Sequence, residues 1–213
     1  MALALLISII GHEIMHGLVA YKYGDNTAKN AGRLSINPIV HIDLVGSIIL
    51  PATLLILNAP FLFGWAKPVP VMIHRVINNG GYLAAFGVSI AGVTYNFALA
   101  LASFMLIMTF NMETFGGIFD FSPTVLKIII FFLMQLLIYN VVLGIFNLWP
   151  IPPLDGSQAL TYIGLMFKND FFAKFFEKIH PMTGTLLIMI ILATPLADAF
   201  FAPAKFIINW LIP

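Results

Sequence analysis

The sequence predicts an all-α integral membrane protein with a polytopic helical core, folded as one domain over residues 1–213. Of these residues, 61% are hydrophobic and only 9% are charged, and the mean hydropathy is +1.00. A soluble domain carries about 25% charged residues. The apolar residues also gather in long regions, as membrane helices require. The net charge of +1 gives no indication of a nucleic-acid partner, and the absence of cysteine excludes a thiol nucleophile.

Five apolar regions predict the membrane elements in order. They are residues 1–23, 44–63, 83–110, 125–148 and 184–201, with a short aromatic tail at 206–210 that we expect at the membrane interface. The first region is the length of one crossing and lacks the basic start and cleavage site of a signal peptide, so we expect a retained helix. Prolines interrupt the second region at Pro51 and Pro60 and the fifth at Pro195.

Basic residues predict the topology. Eight of the ten follow the first, second and fourth regions, whereas the loop at 111–124 contains none; these residues are Lys22, Lys29, Arg33, Lys67, Arg75, Lys168, Lys174 and Lys178. If region 44–63 crossed the membrane, the basic loops would fall on both faces, contrary to the positive-inside rule. We therefore predict that 44–63 is re-entrant or lies along the surface. The basic loops are then cytoplasmic, and loop 111–124 lies outside.

A metal-ligand pattern lies inside the first apolar region. His12 and His16 are four residues apart, so on a helix both imidazoles can face one metal ion, and Glu13 can reach a water beside it. Ionisable groups are costly in hydrocarbon and usually mark a functional site. His16 lies seven residues before Tyr23, about 10 Å along the helix. The site is thus expected within the membrane, nearer the cytoplasmic face.

A third ligand is needed, because catalytic zinc usually has three protein ligands. Asp155 follows the proline cluster that ends the fourth apolar region, on the same predicted face as His16. The alternative is that Asp155 is only the N-cap of a helix starting at Ser157. His41 is the rival ligand, although a histidine of an interfacial loop fits its surroundings better.

Together these residues resemble the site-2 protease family of intramembrane zinc metalloproteases. The family's H-E-x-x-H pattern is matched at 12–16, and its N-x-x-P-x-P-x-x-D-G pattern at 147–156. A third pattern, A-G-P-x-x-N at the start of a helix, is matched at 91–96 with Val93 in place of proline. Runs at 24–25, 32–38, 41–43 and 63–71 are similar to those of short prokaryotic members. The resemblance covers residues 1 to about 167, whereas 168–213 form C-terminal helices without a recognisable motif.

The resemblance implies one Zn²⁺ per chain, bound by His12, His16 and Asp155, with Glu13 as the catalytic residue. It also implies that Asn147 helps to position the site. The expected substrate is a transmembrane protein or peptide, and the expected location is the cell membrane, in contact with the lipid bilayer. No pattern of an added PDZ or CBS domain is present, so the sequence is that expected of a minimal protease core.

The chemistry of the residues supports the same activity. Glu13 would act as general base, and Asn147 or Asn96 would stabilise the oxyanion. Asn96 also belongs to a small-residue stripe with Gly92 and Ala100, which suits close helix packing equally well. Residues 63–71 contain two prolines and are either a short edge β element that pairs with substrate or an interfacial loop.

Two other functions are open at this stage. The first is a catalytically inactive membrane scaffold, although both histidines, the glutamate and the aspartate are present. The second is a metal-handling membrane protein, which would need a polar path across the bilayer. The third apolar region offers few polar side chains for such a path, chiefly Asn96 and Ser103 over a long span.

Overall fold

The computed structural model describes residues 1–59, 61, 63–111 and 122–212. The helices of this part of the chain are α1 Ala2–Lys22, α2 Thr27–Asn30, α3 Leu50–Ile56, α4 Ile73–Asn111, α5 Pro123–Leu148, α6 Asp155–Met166, α7 Phe171–Glu177, α8 Pro181–Leu192 and α9 Leu196–Leu211. Within the described residues there is no β-strand. The predicted all-α class is therefore confirmed, and the optional edge β element at 63–71 is absent from this arrangement.

Among the described residues, three helices are long and apolar enough to span a membrane, which confirms the prediction of a polytopic membrane protein. They are α1, α4 over Ile73–Phe110, and α5. Helices α7 and α8 together could form a fourth span, but they are bent by 85° at the break between them. The region predicted at 184–201 is divided near Pro195 into α8 and α9.

Helix α4 begins ten residues earlier than its apolar region, at Ile73, and contains a break at Gly81. Gly81 has φ 68°, a left-handed conformation that glycine adopts without steric cost. The apolar part of α4 therefore follows a short amphipathic helical segment that begins at Ile73 and ends at the break. Val93 lies inside α4 and is buried, so no helix begins at 91–96 as the family pattern suggested.

The end of α1 and the start of α4 meet at one face of the molecule. The Asn79 side chain donates a hydrogen bond to the Tyr23 carbonyl oxygen at 2.8 Å. Beside it lies a buried apolar cluster formed by Ala20, Val76, Ala84 and Val88. The chain therefore leaves α1 and enters α4 at the same face of the molecule.

The helical part of region 44–63 is also too short to span a bilayer. A π-helix at Leu44–Ile49 continues into α3. The π-helix has six residues and α3 has seven, so together they rise by at most about 20 Å. The hydrocarbon core is about 30 Å thick. This geometry supports the re-entrant prediction. Pro60, and residues 112–121 of the loop predicted outside, lie beyond the described residues.

A larger apolar cluster occupies the other half of the bundle. It joins α1, α4, α5 and α9 through buried residues that include Ala4, Ala100, Leu137 and Ala204. The aromatic tail predicted at 206–210 is the last part of α9, and Ile207 and Ile208 pack against this cluster. His12 lies on α1 between the two clusters, so the packing of both halves fixes its position.

Single cysteines at Asn30 and Asn78 should label from the same side of the membrane with an impermeant thiol reagent. Both residues are exposed, and the contact between Asn79 and Tyr23 holds the two segments at one face. The measurement is labelling of right-side-out and inverted vesicles. Labelling of the two positions from opposite sides would contradict the re-entrant assignment.

Candidate metal centre

Three side chains from two distant parts of the chain converge on one point. The Nε2 atoms of His12 and His16 are 3.2 Å apart. The Oδ2 atom of Asp155 lies 3.2 Å from Nε2 of His12 and 3.4 Å from Nε2 of His16. Within the described residues, His12, His16 and Asp155 form the group of possible metal ligands whose atoms lie close enough together to hold one ion. The structure therefore brings together the three predicted ligands.

The triangle of ligand atoms has the dimensions of a zinc site. Bonds of about 2.0–2.1 Å in tetrahedral geometry separate neighbouring ligand atoms by about 3.3 Å. In addition, the Asp155 Oδ2 atom is buried and receives no hydrogen bond from the described residues. A buried carboxylate oxygen without a donor is costly, and a metal cation at this point would supply the missing partner. The donor set and its spacing thus fit zinc.

Hydrogen bonds at the opposite ring nitrogens orient both histidines. Nδ1 of His16 lies 2.7 Å from the Val88 carbonyl oxygen, which can only accept a hydrogen bond. Nδ1 of His12 lies 2.6 Å from Oδ1 of Asn96. With the proton on Nδ1, each Nε2 presents its lone pair to the shared point, as metal-binding histidines require.

A glycine on α4 makes room for His12. A Cβ atom at Gly92 would lie 2.5 Å from the His12 ring, closer than side chains pack. Helices α1 and α4 can therefore approach closely at this point. The small-residue stripe predicted on α4 serves packing and orientation together, since Gly92 contacts the ring and Asn96 hydrogen-bonds to it.

Asp155 is delivered by a tight connection between α5 and α6. Helix α6 begins at Asp155 itself, with Leu154 as its N-cap, so the carboxylate does not cap a helix starting at Ser157. A Cβ atom at Gly156 would lie 2.1 Å from the Leu148 carbonyl oxygen. The chain thus folds back closely on the end of α5, which places the first side chain of α6 beside α1.

Glu13 contacts the extended segment 63–72 rather than the metal-ligand triangle. Its Oε2 atom accepts a hydrogen bond from the Val69 N–H at 2.9 Å. The Oε1 atom has no partner among the described residues. One carboxylate oxygen is therefore anchored, and the other is available to accept a proton.

The extended segment is held by its own N–H groups. Those of Trp65, Lys67 and Val69 donate to the Gly46 carbonyl, the His41 carbonyl and Glu13, respectively. Pro68 and Pro70 have no N–H. The predicted edge element would need free N–H groups to pair with substrate, and at Trp65, Lys67 and Val69 none is free. Between Trp65 and Pro70, the Ala66 N–H is the donor that has no hydrogen-bond acceptor among the described residues.

Asp25 attaches the end of the segment to the loop after α1. Its carboxylate accepts hydrogen bonds from the Thr27 N–H at 3.0 Å and from the Met72 N–H at 2.6 Å. Burial raises the pKa of Asp25, but the hydrogen bond from the Thr27 hydroxyl, together with these two from N–H groups, outweighs it and holds the pKa below the usual value. The stabilisation is therefore present at neutral pH and is lost as pH falls through this lowered pKa.

His41 lies elsewhere. Its Nε2–H donates to the Ser35 carbonyl oxygen at 2.7 Å, and its own carbonyl oxygen accepts from Lys67. It is buried yet outside the group of ligand atoms. The structure therefore favours Asp155 over His41 as the third ligand.

The two asparagines predicted to stabilise an oxyanion occupy different positions. The Asn96 amide is fully buried, and its N–H groups donate to the Ser8 carbonyl and to Oδ1 of Asn140. No donor remains for an oxyanion, so its assignment as oxyanion donor is corrected to that of a positioning residue behind His12. Asn147 uses one N–H on the Leu143 carbonyl oxygen at 3.0 Å. Its proposed role stays a prediction.

Sequence reasoning did not find several residues that support the site. Ser8, Asn140 and the Val88 carbonyl were not singled out, although Ser8 and Asn140 are polar residues within apolar spans. That placement is the signal that could have indicated them.

Gly92→Ala should weaken zinc binding by on the order of tenfold, because the added methyl group would displace the His12 ring. Gly87→Ala is the matched control on the same helix, since a Cβ atom there meets nothing within 4 Å. It should leave zinc affinity unchanged. The measurement is competition for zinc with a chromophoric chelator. Equal affinity in the two variants would contradict the close approach of α4 to His12.

Known proteins with similar sequences support this interpretation of the site. The chain is 42% identical to "Putative zinc metalloprotease YwhC" of Bacillus subtilis over 160 residues, which are 75% of this chain and 67% of that protein. It is 32% identical over 155 residues to "Putative zinc metalloprotease Rip2" of Mycobacterium tuberculosis, with 73% and 53% covered. The match thus spans between half and two thirds of these relatives.

No protein-family model matches the sequence, and no solved structure matches the chain. Both relatives are nevertheless named as zinc metalloproteases, and zinc is the metal that the ligand triangle fits. On the strength of its relationship to YwhC and of its ordered motifs, the chain belongs to the site-2 protease family of zinc metalloproteases.

Proposed function

We propose that the protein is an intramembrane zinc endopeptidase, which hydrolyses a peptide bond in or near a transmembrane segment of a membrane protein. The observation that carries this proposal is the position of the ligand triangle. Two of its three corners lie on α1, a helix of membrane-spanning length and composition. A hydrolytic centre at this depth would act on chains that enter the membrane.

One Zn²⁺ per chain would be held by His12, His16 and Asp155. The chemistry that bound zinc supplies is Lewis acidity, which makes water acidic enough to lose a proton near pH 7. Oε1 of Glu13 is free to accept that proton and can return it to the leaving amine. The hydrogen bond from Val69 to Oε2 would hold the carboxylate in one orientation during both transfers.

Asn147 is the proposed oxyanion donor. It lies near the end of α5, seven residues after the buried Asn140, and is only partly buried. Its amide keeps one N–H beyond the hydrogen bond to Leu143. Donation to a developing negative charge is the role for which such a group is best suited.

The substrate would be bound as an extended chain along residues 65–70. Because the inward N–H groups of this segment are already used, its exposed edge offers mainly carbonyl oxygens. A substrate strand would therefore donate its own N–H groups to these acceptors, in a one-sided form of β-strand addition. This requirement also favours substrates whose helix unwinds readily, since a helix occupies its N–H groups internally.

The proposed location is the cell membrane, with the site nearer the cytoplasmic face. His16 is six residues from the end of α1, and the basic residues Lys22, Lys29 and Arg33 follow on that side. The positive-inside rule assigns this face to the cytoplasm. Water would reach the site from there over a distance of about 10 Å.

Glu13→Gln should abolish cleavage while zinc binding and fold remain. Glutamine keeps the shape of the side chain and can still accept the Val69 hydrogen bond, but it is not a base. The measurement is hydrolysis of a tagged transmembrane peptide, together with zinc content and thermal stability. A variant with near wild-type activity would exclude Glu13 as the general base.

The same assay separates the proposed protease from the other functions. A chelator should stop cleavage by the wild type, and added zinc should restore it. Wild-type protein that binds zinc without cleaving any transmembrane peptide would favour a metal-handling protein. Wild-type protein that does neither would favour an inactive scaffold.

Substrates with Gly, Pro or Asn near the scissile bond should be cut faster than uniformly Leu-rich ones. These residues lower the cost of unwinding, by about 1 kcal/mol for Gly and about 3 kcal/mol for Pro in a helix interior. The measurement is a series of cleavage rates with one such residue moved along the peptide. Rates that do not depend on its position would argue against an extended bound form.

A further inference from the structure

A chain of buried polar groups leads from His12 across three membrane helices. Nδ1 of His12 contacts Oδ1 of Asn96 on α4, and the Asn96 amide donates to Oδ1 of Asn140 on α5 at 2.8 Å. Asn140 in turn donates to Oγ of Ser8 on α1 at 2.7 Å. Ser8, Asn96 and Asn140 are each completely buried. Such a chain within apolar helices is expensive unless every group is satisfied.

Backbone carbonyls fix the direction of every hydrogen bond in this chain. The Asn140 amide donates to the Leu136 carbonyl at 2.8 Å, and a carbonyl oxygen can only accept. The Asn140 oxygen must therefore face Asn96, which presents its amide nitrogen in return. The Asn96 oxygen is left to face His12, so Nδ1 of His12 must carry the proton.

We propose that Asn140 is a positioning residue that selects the metal-binding tautomer of His12 through Asn96. This inference rests on the proposed function, because it concerns the same metal centre. Asn140 does not contact His12 or the ligand triangle. Its effect is to prevent the Asn96 amide from rotating, since a rotated amide would offer N–H groups to Nδ1 and place the proton on Nε2. A protonated Nε2 cannot bind a metal.

Distances indicate that Asn140 orients the Asn96 amide more strongly than the Ser8 carbonyl oxygen does. The Asn96 amide is 2.8 Å from Oδ1 of Asn140 but 3.3 Å from the Ser8 carbonyl oxygen. The shorter contact is the stronger hydrogen bond. The Ser8 carbonyl should therefore retain only part of the orientation when Asn140 is replaced.

The test compares Asn140→Leu with Leu137→Ala in the full chain. Both residues are on α5 and completely buried, but Leu137 lies in the apolar cluster and has no place in the polar chain. Zinc affinity should fall about tenfold in Asn140→Leu. It should be unchanged in Leu137→Ala, even though the cavity lowers thermal stability. Unchanged affinity in Asn140→Leu, or an equal loss in both variants, would overturn the proposal.

A double-mutant cycle tests whether the effect passes through Asn96. In Asn96→Asp, the ionised carboxylate has two acceptor oxygens and no donor, so no rotation can present a donor to His12. Adding Asn140→Leu to this variant should then cause no further loss of zinc affinity. A further tenfold loss in the double variant would show that Asn140 acts by another route and would overturn the proposal.

The tautomer itself can be measured without metal. In ¹⁵N-histidine-labelled wild-type protein stripped of zinc, the His12 signal should be that of a ring with its proton on Nδ1. The signal can be assigned from its loss in His12→Gln. A proton on Nε2 in the wild type would overturn the proposal even if Asn140→Leu does not fold. If the wild type binds no zinc, the proposed function fails, but this spectrum still decides the role of Asn140.

Discussion

Keeping two imidazoles and a carboxylate inside a bundle of apolar helices is the constraint on which the rest of the structure depends. Each ring has one nitrogen directed at the shared point and the other hydrogen-bonded to the protein. The carboxylate of Asp155 has an oxygen that no described residue satisfies. The outer nitrogens of both rings are therefore bonded, whereas the atoms that face the shared point have room for a cation as their partner.

Close helix contacts follow from this constraint. His12 can be covered by α4 because Gly92 lacks a side chain, and Asp155 reaches α1 because Gly156 lets the chain fold back on α5. Asp25 and Glu13 hold the extended segment by the N–H groups of Met72 and Val69. The proposed general base and the proposed substrate-binding segment are thus connected by one hydrogen bond, between Glu13 and Val69.

The parts of the site that follow local rules could be predicted from the sequence. The spacing of His12 and His16 places both on one helix face, and the depth of Asp155 follows from the end of an apolar region. The contact between Asn96 and His12 could not be predicted, because it depends on how α1 and α4 pair. That the N–H groups of Lys67 and Val69 are already bonded could not be predicted either, because their partners lie on other elements, such as the His41 carbonyl.

The zinc content of purified protein tests the central claim most directly. We expect about one zinc per chain in the wild type and in His41→Ala, and its loss in Asp155→Ala. The reason is that Asp155 supplies the third corner of the ligand triangle, whereas His41 is bonded to Ser35. Zinc retained in Asp155→Ala and lost in His41→Ala, or no zinc in the wild type, would contradict this account.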